Sequence, residues 1–129
     1  MKYLEYEDFE ENVAIIKINK SYRERMSREA LYDATRGCWK YKKKTLERAD
    51  YALSVAFGVV KEVYKINRWE RSENEIRATI PYDKKLDEGR MIFIGEVAND
   101  DIRDKYIGNR VDHLFKKGNV HPVMIISNR

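Results

Sequence analysis

Tyr51-Ala52-Leu53-Ser54-Val55-Ala56-Phe57-Gly58-Val59-Val60-Lys61-Glu62-Val63-Tyr64-Lys65-Ile66 is the stretch on which the fold turns. In its first half the bulky Tyr51, Leu53, Val55 and Phe57 alternate with the small Ala52, Ser54 and Ala56, the period of a strand with one bulky face. Strict alternation through the second half sets Val60, Glu62, Tyr64 and Ile66 on one face and Val59, Lys61, Val63 and Lys65 on the other. Gly58 lies between the halves, and a bend or bulge there folds them into a curved pair of strands.

Upstream, residues 13–18 (Val-Ala-Ile-Ile-Lys-Ile) are apolar and β-branched enough for a buried strand. Ser27 then caps a helix from Arg28 to Arg36, with Met26, Ala30, Leu31 and Ala34 on one face, Glu29 in the first turn and Gly37 as its stop. One more helical turn fits Thr45 to Asp50. Downstream, residues 70–89 are charged, contain Pro81 and are apolar only around Ile76 to Ile80, which predicts a long mobile excursion with one edge strand. Arg90 to Val97 returns as a strand, Asn99 caps a short helix that Asp100 and Asp101 favour, a second short helix fits Arg110 to Lys117 with Gly118 as its stop, and residues 123–126 form the last strand. The expected fold class is α+β: a small curved or partly closed β-barrel with short helices at its periphery.

At 129 residues and 43% hydrophobic content the chain fits one domain, 1–129, with a real core. No run approaches a membrane span and the N-terminus has neither signal nor transit character, so a cytoplasmic protein is expected. The single cysteine, Cys38, excludes an internal disulfide; with no base paired to it, it reads as a small half-buried thiol. The net charge of +4 is unevenly spread: residues 1–12 hold five acids and one lysine, residues 20–50 ten Lys/Arg against five Asp/Glu, including Lys40, Lys42, Lys43 and Lys44. A lysine run alone is usually a solvated turn, but a basic face beside aromatics attracts phosphates.

The candidate site follows from that juxtaposition. Arg36 or Lys40 meets a phosphate or base edge, and Trp39, Tyr64 or Trp69 supplies a stacking surface, although any one tryptophan is more often core. Glu62, if inward, needs a partner, and Arg36 is the candidate for a structural pair. His113 can donate to a phosphate or base edge; with His121 eight positions away and no third ligand it forms no zinc signature, and the acids at Asp100, Asp101 and Asp104 read as helix-start residues. No cofactor, metal or catalytic residue is expected.

Tyr32-x-Ala34-Thr35-Arg36-Gly37-x-Trp39-Lys40, Arg48-Ala49-x-Tyr51-Ala52, Gly58-x-Val60-x-Glu62-Val63-Tyr64-x-Ile66 with Trp69, and the later Ile102-Arg103-x-Lys105-Tyr106-Ile107-Gly108 and Phe115-x-Lys117-Gly118-Asn119 stand in a characteristic order. As a set they resemble a bacterial domain associated with the C-terminal half of some GIY-YIG nuclease-like proteins, related to the PUA-like small barrels that include EVE, YTH, ASCH and SRA domains. The resemblance implies a barrel of five or six strands that reads nucleic acid, often through an aromatic pocket for a modified base, and brings Lys117 and Asn119 into the candidate ligand set. The nuclease half is missing: Tyr106-Ile107-Gly108 repeats half of the GIY-YIG signature, but no Gly-Ile-Tyr strand precedes it and no suitable glutamate follows.

The function expected is a non-enzymatic module recognising a nucleobase or nucleotide in nucleic acid, modified DNA or RNA included. Its alternatives are a free-standing receptor or sponge for a small cyclic or modified nucleotide in bacterial or phage conflict, for which homo-oligomerisation could complete the pocket, and a protein-interaction domain.

Overall fold

The computed structural model describes residues 1–116 and 121–127. Five strands form one mixed sheet in the order β4-β3-β2-β1-β5: β1 is Val13–Lys17, β2 Tyr51–Ala56, β3 Val59–Arg71, β4 Met91–Val97 and β5 Val123–Ile126. Four short helices accompany it: α1 (Arg28–Arg36) and α2 (Lys43–Leu46) between β1 and β2, α3 (Lys84–Asp87) before β4, and α4 (Asp100–Tyr106) after it. The α+β class stands. The sheet, however, is an open row whose edges are β4 and β5, so the expected closure into a barrel is not seen.

Strand β1 lies parallel to β2, Val13 opposite Tyr51, and antiparallel to β5, Val13 opposite Ile126. Val13, Ala14, Ile15 and Ile16 are all inaccessible, as befits a strand covered on both faces. Val13 and Ile15 join Leu53, Val55, Val60 and Val63 in a core closed by Leu4, Phe9, Tyr106 and Leu114. On the opposite face Ala14 and Ile16 join Ala52, Ala56, Tyr64, Trp69 and Phe93 under Ala34 of α1 and Leu46 of α2. The small residues of β2 give α1 room, and in that contact the Thr35 hydroxyl donates to Ser54 Oγ at 2.8 Å.

The β2–β3 hairpin closes through two residues, Phe57 at φ +51° and Gly58 at φ +83°, between the paired Ala56 and Val59. Two left-handed residues give the primed turn whose twist suits a hairpin; glycine reaches that region freely, phenylalanine does not. The register then slips twice along β3. Ser54 faces Glu62 while Val55 faces Val60, leaving Lys61 as an extra residue; between Ile66 and Arg68 the pairing with β4 shifts again. A bulge reverses parity for everything beyond it, so Val60 shares a core with Val63 and not, as strict alternation predicts, with Tyr64. The second slip carries β3 on to Arg71 and places Trp69 inside the strand, on the side of Tyr64.

Helix α1 has the predicted bounds, and Ser27 accepts from the amide of Ala30 at its start. Gly37 is extended, at φ −179°, and a Cβ there would lie 2.8 Å from the side chain of Ile92. Its glycine is therefore required by close approach of the helix end to β4. Of the helix predicted over Arg110 to Lys117, the described part up to Lys116 holds only a 3-10 turn, Asp112–Leu114, because Arg110 instead bridges Tyr3 and Val59 and pairs with Asp112 at 2.9 Å; Lys117 and the expected stop at Gly118 lie outside the described residues.

Of the excursion expected over 70–89, residues 72–90 hold no edge strand, and side-chain bonds tie them to α1 and its exit. The Thr79 amide and hydroxyl both donate to Asp33 Oδ2, at 2.9 and 2.7 Å, and Arg77 donates to the Gly37 carbonyl at 2.8 Å while pairing with Asp87 at 3.6 Å. At the other end of the molecule, Lys105 meets Glu11 at 2.8 Å and Glu10 at 3.2 Å, and the Tyr106 hydroxyl donates to Glu11. Partial burial works to raise the Glu11 carboxyl, but the bonds from Lys105 and Tyr106 outweigh it and hold the group below its ordinary value of 4.5.

Candidate functional site

Tyr32, Arg36 and Trp39 lie along one side of β4, and their polar groups occupy its outer edge. The Trp39 amide donates to the Met91 carbonyl and the Met91 amide to the Trp39 carbonyl, both at 2.8 Å; Arg36 Nε donates to the Phe93 carbonyl at 3.2 Å; the Gly95 amide donates to the Tyr32 hydroxyl at 2.9 Å. Met91, Phe93 and Gly95 share one parity, so these are the outward-facing backbone groups that an edge strand would otherwise leave open to another chain. The guanidinium also meets Asp33 at 3.4 Å and Glu75 at 3.3 Å and lies 4.6 Å from the Tyr32 ring centroid. Arg36 is 7% exposed and fully engaged inside the protein. The Arg36–Glu62 pair expected from sequence does not form: Glu62 takes a two-pronged contact from Arg103 at 2.8 and 3.2 Å, because α4 runs beside the first half of β3.

The predicted stacking residues separate in the same way. Tyr64 and Trp69 are each 2% exposed and belong to the core, Trp69 edge-on to Phe93 at 5.3 Å, so neither offers a face to a ligand. His113 lies at the N-terminal segment, with Nε2 2.7 Å from the Leu4 carbonyl and 3.0 Å from Glu5. Lys117 and Asn119 fall outside the described residues. Cys38 is half-buried, and burial pushes its thiol up from the ordinary value, away from the thiolate a nucleophile needs.

Trp39 is different. Only half-buried, with its indole N–H fixed on the Thr35 carbonyl at 2.8 Å, it lines a groove of about 600 Å³. Lys17, Asn19 and Lys20, at and just beyond the C-terminal end of β1, line it too, together with Arg90 and Pro122. This is the carboxyl end of a parallel strand whose return runs through helices, the position where open sheets with such crossovers commonly bind ligands. The charged residues lining the groove are Lys17, Lys20 and Arg90; Lys17 Nζ lies 4.1 Å from the Phe115 ring centroid, so the positive charge offered to the groove rests on Lys20 and Arg90. Outside it, Lys40, Lys42, Lys43 and Lys44 are exposed, and Tyr41 stands edge-on to His121 at 4.9 Å, next to the lining Pro122.

A second hollow of similar size, under residues 77–87, is lined by Arg77 and Lys84 together with Asp83 and Asp87, so its charges are matched. Among the described residues no group of His, Cys, Asp and Glu is arranged to hold a metal ion, and no helix is long and apolar enough to cross a membrane. Lys17, Lys20 and Arg90 were not singled out by sequence. Their signal was positional: each flanks a strand terminus, and that the loop after β1 and the residue before β4 line one groove is a property of the folded chain that no local pattern carries.

Comparison with protein-family models, with curated proteins and with solved structures finds no match.

Proposed function

We infer that the protein is a non-enzymatic binding module for nucleotide units, with the groove lined by Trp39, Lys20 and Arg90 as its site. The observation that carries this reading is a half-buried tryptophan, Trp39, lining a groove together with the cations Lys20 and Arg90 and no acid. A nucleotide has the two matching parts, a flat base for Trp39 and a phosphate for the cations. Stacking of one base on an aromatic contributes roughly 1–3 kcal/mol, comparable with a charge-assisted phosphate contact, so neither part dominates. The resemblance to PUA-like nucleic-acid readers points to the same ligand class, though through other residues: Arg36, Tyr64 and Trp69 serve the fold, and Lys40 remains beside the groove as an exposed contributor.

Trp39 supplies the test. Trp69 is sealed in the core, so quenching of tryptophan fluorescence by added nucleotide reports on Trp39. Saturable quenching is expected, and for DNA or RNA oligomers the affinity should fall on a log–log salt plot with a slope of about −1.5 for two phosphate contacts. The exposed-side variant Lys20→Ala combined with Arg90→Ala should weaken binding roughly tenfold and flatten that slope by about 1. If neither mononucleotides nor DNA or RNA oligomers quench saturably, the groove is not a nucleotide site.

A further inference from the structure

Phe57 stands at the tip of the β2–β3 hairpin, 65% exposed, in the left-handed region at φ +51°. Both facts run against local stability. The first position of such a turn favours Asn, Asp or Gly, and a large aromatic side chain there is strained as well as solvated. Packing does not explain it, since its ring contact, edge-on to Tyr22 with centroids 6.5 Å apart, leaves most of the ring in water. Nor does the hairpin need a phenyl group: what fixes the turn is the backbone amide of residue 57, which donates to Asn19 Oδ1 at 2.8 Å and would do so with any side chain but proline's.

That hydrogen bond also locates the ring. Asn19 lines the groove, as do Lys20 and Ser21, and Tyr22 follows directly. Lys61 Nζ lies 5.1 Å from the Tyr22 ring centroid, so the hairpin tip, tied through its backbone to the groove-lining Asn19, brings together an exposed aromatic, a second aromatic and a cation. This repeats, beyond Lys20, the pairing of flat surface and positive charge found at Trp39. We propose that Phe57, backed by Tyr22 and Lys61, is a second base-stacking subsite, and that the groove therefore takes successive nucleotides of a single strand in preference to a lone nucleotide. The proposal rests on the nucleotide reading of the groove. Single-strand binders commonly combine a basic track with aromatic platforms for successive bases, which every base can use.

The test compares a mononucleotide with dT and rU oligomers of about eight nucleotides, a length within the range a small domain covers, on the wild type, Phe57→Asn and Phe57→Tyr. Phe57→Asn places a favoured residue in the left-handed position, so its Tm should rise and lost binding cannot be ascribed to misfolding. The expected result is that the wild type binds the oligomer well above the mononucleotide, that Phe57→Asn loses about tenfold on the oligomer and nothing on the mononucleotide, and that Phe57→Tyr retains both. An oligomer that binds no more tightly than the mononucleotide, or an oligomer affinity untouched by Phe57→Asn, overturns the second subsite and leaves the groove reading intact. Absence of binding to every probe overturns both.

Discussion

Arg36→Ala removes a guanidinium from the outer edge of β4 and leaves the Asp33 and Glu75 carboxylates facing a void where their partner stood. Breaking a buried pair from one side typically costs about 3–5 kcal/mol, so a large fall in the urea midpoint is expected; a loss under about 1 kcal/mol would show that the edge is held by Tyr32 and Trp39 alone. Arg36→Lys should recover only part, because an ammonium cannot reach the Phe93 carbonyl and both carboxylates with a fixed fork. The same residue shows where sequence reading stops. Tyr32, Arg36 and Trp39 are spaced to share one side of a helix and its exit, which is legible. Whether that side faces a ligand or the rim of a sheet depends on β4, more than fifty residues away, and nothing local distinguishes the two. Trp39 alone stands at both places: its backbone pairs with Met91, and the residue lines the groove.

Elements were most legible where the periodic signal was unbroken. Helix α1, with its Ser27 cap and apolar face, and β1, β2 and β4, with dense β-branched residues, lie close to their predicted positions. The faces of β3 were not legible, because Lys61 and Asn67 look like any other strand residues and the bulges arise from pairing with β2 and β4. The segment 72–90 was misread for a related reason: its composition is that of a loop, and its anchors are single polar side chains reaching α1. Asp33→Ala, which removes the acceptor for both Thr79 bonds and a partner of Arg36, should speed amide exchange across residues 72–90 by at least tenfold while β1 and β2 stay protected. Uniform acceleration over the whole sheet would mean instead that the segment and the core open as one unit.

For the molecule as a whole, charge is divided between two ends. The acidic N-terminal segment is bound to α4 through Glu10, Glu11 and Lys105, and the surplus of cations collects around the groove. Glu11 sets a pH dependence. Its carboxyl ionises below the ordinary 4.5 when folded, so the stability it contributes is fully present above that value and is lost as pH falls through the folded value. Glu11→Gln should lower stability at neutral pH by about 1–2 kcal/mol and flatten the acid limb of a Tm-versus-pH curve; an unchanged limb would assign acid sensitivity to other carboxylates.

The central strand has a temporal consequence. β1 precedes both of its neighbours in the chain: β2 follows only after two helices, and β5 only at residues 123–126. No local hairpin can shelter Val13 to Ile16 meanwhile, since β1 makes none. Long-range pairing of this kind slows folding and prolongs exposure of apolar strand surface. The nascent chain therefore carries this water-averse segment without its second strand partner until residues 123–126 have been made, and only then can the sheet be completed.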